Sequence, residues 1–272
     1  KNRNVESEIS LDETNYANRC IETAKQFNDF FEDTYLTYWR HEDNLYANLV
    51  TTNLSKKLNE IMAKNKAFVF MSGTLHSKAV LENVFGIKDY KIVSAETEHQ
   101  GEIDIIRTGR ENDCSYKNFA SGGITREDYL IALSSCIEKA EKPFLVHVNS
   151  FEDLPNAIES EKFGIYNIMT KERLNELQMD DKTGRAVALF KHGLSDVLYS
   201  TKCSRGVDFP GDSCKAMIFT KYPNPNVRGT FWKVLERTHP SYFWDFYKDK
   251  ARREFLQRIY RALRFKDDHV FV

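Results

Sequence analysis

The sequence predicts an α/β fold, a parallel sheet flanked by helices and preceded by a helical segment. Three observations predict it. No Gly or Pro occurs from Lys1 to Met71, which suits long helices. From Ala67 onward, short β-type runs alternate with amphipathic helices. The stretch from Pro143 then reads as a βαβ unit, whose crossover places helices on the faces of a parallel sheet.

Residues from about Glu13 to Lys64 read as helical. Phe27, Phe30, Phe31, Tyr35 and Tyr38 recur at helical spacing with charges between them, a stripe that packs into a core. Ala67–Met71 is a strand of the buried type, broken by Ser72-Gly73-Thr74. A helix over Ser77–Phe85 and strands at Tyr90–Ser94 and Ile103–Arg107 follow, then a polar, irregular stretch over Arg110–Gly123. Thr125, with Asp128 three residues later, caps a helix running to about Ala140.

Pro143–Val148 is the next strand, Phe151–Ser160 a helix and Tyr166–Met169 a strand. Lys171–Met179 and Gly184–Lys191 read as helices, and Asp196–Ser200 as a strand. The loop Thr201–Asp212 leads to a strand at Cys214–Thr220. A Pro-rich loop precedes a long helix over Tyr242–Arg264, and His269–Val272 begins a last strand. The organisation expected is a helical segment over 1–64 and an α/β domain over 65–272.

Composition narrows the function. A 41% hydrophobic content fills a core, and 39 basic residues against 40 acidic ones exclude a binder that relies on bulk positive charge. The cysteines at 20, 114, 136, 203 and 214 are widely spaced and form no Cys-x-x-Cys pair, so free thiols in a reducing compartment are expected, without zinc or an iron–sulfur cluster in this chain. No apolar run approaches the ~20 residues of a membrane span, and no secretory signal is visible. Cytoplasm or nucleus is the expected location. His76, His147 and His192 lack a nucleophile elbow and read as structural.

In open parallel sheets, function gathers in loops at the carboxyl ends of strands. Three segments carry suitable chemistry. In Met71-Ser72-Gly73-Thr74-Leu75, a sharp turn is flanked by hydroxyls that can donate to carboxylate or phosphate. In Cys203-Ser204-Arg205-Gly206-Val207-Asp208-Phe209-Pro210-Gly211-Asp212, Gly206 allows close backbone approach, Asp208 can accept from a sugar hydroxyl or an arginine, and Arg205 can reach a phosphate. In Gln257-Arg258-Ile259-Tyr260-Arg261-Ala262-Leu263-Arg264, the spacing of Arg261 and Arg264 predicts one shared helix face, with Gln257 one turn upstream. Such paired guanidinium forks can clamp a phosphoryl group in transfer.

In this order, and with Tyr222-Pro223-Asn224-Pro225 between the second and third, these segments resemble motifs III, V and VI of the XPD/DinG-type superfamily 2 DNA helicases. The resemblance covers about Asn65 to Val272 and implies a RecA-like second helicase lobe. It implies that Ser72 and Thr74 sense the nucleotide and link two lobes, and that Gly206 and Asp208 lie at the ATP and DNA junction. Arg261 and Arg264 would be arginine fingers, and Gln257 would approach the γ-phosphate or its attacking water. Strand Phe144–Val148 with Asn149 and Ser150 falls where the family's motif IV touches the DNA backbone, and Arg205 would face nucleic acid as well. Two positions depart from the family pattern. Arg205 stands where motif V carries an acid, and Tyr260 stands where motif VI carries a glycine.

These 272 residues contain no Gly-x-x-x-x-Gly-Lys-Ser/Thr phosphate loop and no Asp-Glu-x-His or Asp-Glu-x-Asp magnesium site. The resemblance therefore implies ATP and Mg²⁺ shared with an N-terminal lobe, and an iron–sulfur cluster, if any, carried elsewhere in the full-length protein. Lys1–Lys64 would be the end of the inserted Arch domain and its return to the first lobe. The expected activity is 5′-to-3′ translocation on single-stranded DNA in DNA repair, including nucleotide excision repair, by an expressed fragment or a separately encoded half. The competing expectation is a RecA-like module that binds protein or nucleic acid without driving chemistry.

Overall fold

The computed structural model describes residues 16–93, 101–203 and 206–272. The start of the first expected helix, Ser94, Ser204 and Arg205 lie outside the described residues. The described chain gathers into two compact units. The first takes the described residues up to 72 together with 76–91 and 225–249; the second takes 73–75, the described part of 92–224, and 250–272. The first unit thus draws two segments from within the range that the sequence assigns to the α/β domain.

The first unit corrects the helical reading. Among the described residues from 16 to 64, the helices are Tyr16–Lys25 and Leu54–Met62, with a 3₁₀ turn at Asn28–Asp33. Between them, strands β1 (Thr34–His41) and β2 (Asn44–Thr51) form an antiparallel hairpin, with Trp39 opposite Tyr46. Its two-residue turn holds Glu42 at φ 53°, a left-handed conformation that a side chain tolerates poorly. Asn48 of β2 donates to Thr230 Oγ1 at 3.4 Å, tying the hairpin to a helix over Thr230–Thr238 that the sequence reading missed. The core of this unit joins Val80 and Val84 to Trp232, Leu235, Phe243 and Phe246. It rests on the helices Lys78–Asn83, Thr230–Thr238 and the first half of Pro240–Ile259.

The second unit holds a five-stranded, wholly parallel sheet, the expected α/β, RecA-like arrangement. Its strands are β3 (Glu102–Asp104), β4 (Phe144–His147), β5 (Val197–Ser200), β6 (Ala216–Phe219) and β7 (His269–Phe271), in the order β3-β7-β6-β4-β5. Successive side chains leave a strand on opposite faces, so one apolar run feeds two cores. Phe144 and Val146 of β4, with Ala216 and Ile218 of β6, pack under Tyr129, Leu130 and Leu133 of the helix Arg126–Lys139. Leu145 and Met217 point the other way, toward Phe190, Phe209, Ile259 and Leu263. The helix Arg126–Lys139 begins at the expected capping box of Thr125 and Asp128.

Three expected strands have no counterpart among the described residues: Ala67–Met71, the described part of Tyr90–Ser94, and Tyr166–Met169. Ile165 and Ile168 enter the first core from a segment that pairs with no strand among the described residues. Ala67–Met71 has no strand partner either, and Val69 and Met71 are 84% and 91% exposed.

Candidate functional site

After β5, the chain turns at Gly206 with φ 74°, and among the described residues nothing lies within 4 Å of where a Cβ would stand. The turn therefore needs glycine for its backbone conformation. Phe209 then plunges into the core, edge-on to Phe190 with ring centroids 5.5 Å apart, which leaves Asp208 half-exposed at the rim.

The arginines arrive from the other segment. The sequence predicts a helix continuing to residue 264, but it stops at Ile259. Arg261 and Ala262 donate their backbone amides three residues back rather than four, the tightening common at a helix end. Asp268 then captures the amides of Arg264 and Phe265 at 2.6 and 2.7 Å, so they cannot continue a helical ladder. In the turn that results, Ala262 and Leu263 are both buried, Arg261 is largely covered, and Arg264 faces outward. A single helix face does not bring the two guanidinium groups together; Asp208 does. Its Oδ1 accepts from Arg261 Nη1 at 3.1 Å and from Arg264 Nη2, while the Phe209 amide donates to the Arg261 carbonyl at 2.7 Å. The loop at 206–209 and the turn at 261–264 thus meet on one rim.

Partial burial works to raise the Asp208 carboxyl, but the hydrogen bonds and positive charge of Arg264 and Arg261 outweigh it, and the group titrates below its ordinary value of 3.8. A lowered folded-state value stabilises the fold above the unfolded carboxyl range, and this contribution is lost as pH falls through the folded-state value. Because Asp208 is 45% exposed, the effect is small, under about 1 kcal/mol. Asp208→Asn is accordingly expected to lower the denaturant midpoint slightly at pH 7, with the difference from wild type closing at the most acidic pH. A constant difference across that range would reject the assignment.

The turn at Gly73–Thr74 meets the long helix within the same unit. Gln257 Nε2 donates to Thr74 Oγ1 at 3.0 Å, and Arg253 Nε donates to the Thr74 carbonyl at 2.9 Å. Thr74 is 6% exposed, so both bonds form largely out of water. Arg253 escaped the sequence reading, although it lies one helical turn before Gln257 on the same face. Ser72 is exposed and belongs to the other compact unit.

Asn149 and Ser150 stand at the carboxyl end of β4, both exposed. The Asn149 amide donates to Thr220 Oγ1 at 3.0 Å, and Ser150 closes a capping box with Asp153. Asp153 is buried; it accepts from Thr220 Oγ1 at 2.9 Å and pairs with Lys221 Nζ at 2.7 Å. The Ser150-x-x-Asp153 spacing was the available signal for this network. His147 lies beneath it, stacked on Phe219 with centroids 4.9 Å apart, its titration pushed down to about 3 by burial and by the nearby Arg258 charge. It stays a neutral core residue. His76 is likewise structural, with Nδ1 2.5 Å from the buried Asp249 carboxylate. Tyr260 is partly buried and packs against the second core.

Among the described residues, no group of three or more His, Cys, Asp or Glu side chains is placed to hold a metal ion. No described helix is long and apolar enough to cross a membrane.

Residues 133–272 match the family model described as a helicase C-terminal domain. The match spans four of the five sheet strands, Asn149 and Ser150, the 201–212 loop, Gln257 and both arginines; Ser72 and Thr74 lie before it. No curated protein matches the chain.

Proposed function

Because this chain belongs to the helicase C-terminal domain family, we propose that it is the second motor lobe of an ATP-dependent DNA helicase of the XPD/DinG type. The observation that carries this reading is the convergence of Arg261 and Arg264 on Asp208, beside a glycine turn that leaves room for a ligand. Phosphoryl transfer requires little covalent chemistry from a protein. It requires positive charge where negative charge accumulates on the transferring group. On this reading Arg261 and Arg264 exchange the Asp208 carboxylate for the terminal phosphate of ATP. Gln257, one turn upstream, orients the attacking water. Its bond to Thr74 is the route by which the nucleotide state is felt in motif III. The phosphate cradle and the carboxylates for Mg²⁺ come from an N-terminal lobe, as does any iron–sulfur cluster in the longer protein.

One feature supports a partner lobe. Phe70 and Met71, directly before the Gly73-Thr74 turn, are 58% and 91% exposed, an apolar strand sequence without a strand partner. A strand normally buries such side chains by pairing. Residues up to 64 are read as the return from an inserted domain. Asn149 and Ser150 at the β4 carboxyl end, and Arg205, are read as contacts to the backbone of single-stranded DNA. By resemblance, movement is 5′ to 3′ and serves DNA repair.

Reconstitution tests the whole reading. The chain alone is expected to show no measurable ATPase, and joining it to an N-terminal lobe bearing the phosphate loop is expected to restore turnover stimulated by single-stranded DNA. A joined protein that binds ATP and DNA yet never turns over would favour the non-catalytic interaction module instead.

A further inference from the structure

The hairpin and the helix Thr230–Thr238 enclose a groove of about 390 Å³ in the first unit, which the motor chemistry does not use. One wall is the end of β1, where Trp39 lines the groove beside Tyr38 and is backed by Tyr46 of β2, the two rings stacked with centroids 5.4 Å apart and planes 9° from parallel. This pair is only half-covered: Trp39 is 44% exposed and Tyr46 42%. Apolar rings of this size are normally buried, so a flat aromatic pair held in water calls for a ligand.

The other wall follows from helical spacing. Thr230, Lys233, Val234 and Arg237 stand at i, i+3, i+4 and i+7 and share one face. Val234 is buried and forms the floor, while Lys233 and Arg237 are exposed on either side of it, about 6 Å apart along the axis. Neither cation makes an ion pair with a described carboxylate. The acids of these elements, Glu42 and Asp43 at the hairpin tip and Glu236 on the helix, do not line the groove, whereas a third cation, Arg228, does. The charge facing the aromatic pair is therefore positive.

We propose that this groove is a binding site for single-stranded DNA, with one base laid on Trp39, which Tyr46 backs, and backbone phosphates held by Lys233 and Arg237. An aromatic face beside paired cations fits an unpaired nucleotide: the π-face takes any base that is not already stacked in a duplex, and the cations take the phosphates on its two sides. The choice of DNA over RNA rests on the helicase reading above; the groove chemistry does not.

The test is nucleotide-free binding of a fluorescein-labelled oligothymidylate of about 12 nucleotides to the chain, followed by anisotropy across a salt series. The wild type is expected to bind. In the double variant Lys233→Ala/Arg237→Ala, the slope of log affinity against log salt is expected to fall by about 1.4, from ~0.7 per single-strand phosphate contact. Trp39→Ala is expected to weaken binding roughly tenfold, with Trp39→Phe recovering most of the loss, as base stacking on an aromatic ring predicts. Circular dichroism verifies that the variants fold. Wild-type affinity and slope in the double variant overturn the site, as does no binding by the wild type, or tighter binding to oligouridylate or to duplex. The readout needs no ATP, so failure of the groove and failure of the arginine site are separable.

Discussion

Replacing Arg264 by alanine is expected to lower DNA-stimulated ATP turnover by about 10³-fold or more in the protein completed with its ATP-binding lobe, the usual worth of an arginine finger. The stability of the chain should barely change. Arg264 is 37% exposed on its side chain, and a pair of that kind contributes about 0–1 kcal/mol. The turn that carries it is held through its backbone amide, which bonds to Asp268 and not through the guanidinium. The loss should fall on kcat more than on KM for ATP, because the charge that the guanidinium meets develops in the transition state. Arg264→Lys should not restore the rate, since an ammonium cannot reproduce the planar fork. Steady-state ATPase with a parallel denaturant titration separates the two effects. Turnover within a few-fold of wild type would remove Arg264 from the chemistry.

What the sequence made legible depended on whether the signal was local. The β4 run Pro143–Val148 is apolar on both faces, and it lies inside the sheet between β6 and β5 with cores above and below. The Thr125 capping box starts its helix where the spacing places it. The 34–51 hairpin was hidden for two reasons. Phe27, Phe30, Phe31, Tyr35 and Tyr38 imitate a helical stripe, and the turn at Glu42-Asp43 lacks the Gly or Asn that usually announces one. The end of the long helix was hidden because Gln257 to Arg264 contains no breaker; the stop comes from Asp268, whose capture of two amides leaves no mark in the local sequence.

The candidate site divides along the same line. The order of motifs carries the juxtaposition of Asp208 with Arg261 and Arg264, and of Thr74 with Gln257, across 53 and 183 residues respectively. Residues that hold the site from behind are harder to read: Asp153 shows only as the end of a capping-box spacing, Arg253 only as one turn before Gln257, and Asp268 by no spacing at all. The sequence thus named the side chains of the proposed site and missed most of those that hold them.

Asp268 is the strongest case, and its replacement by asparagine is expected to cost about 2–4 kcal/mol of stability. The carboxylate is buried, and its two oxygens do different work. Oδ1 accepts from the Gly211 amide at 2.8 Å, at the far end of the loop that carries Asp208. Oδ2 accepts from the amides of Arg264 and Phe265. An asparagine of equal size can present its oxygen to one side only. Its NH₂ must then face at least one backbone donor, which leaves that amide unsatisfied and adds donor–donor repulsion in a site shut off from water. Guanidinium denaturation should report the cost as a lowered midpoint with an unchanged slope. Turnover in the completed protein should fall as well, although no group that faces the nucleotide has been altered, because the 211 loop and the 264 turn are no longer pinned to one point. The same logic predicts strong non-additivity: Arg264→Ala introduced into Asp268→Asn should reduce turnover much less than it does in the wild type, since both act through the placement of one guanidinium. If the two losses instead multiply, Asp268 serves stability alone, and the register of the arginine turn is held by the Phe209 amide on the Arg261 carbonyl.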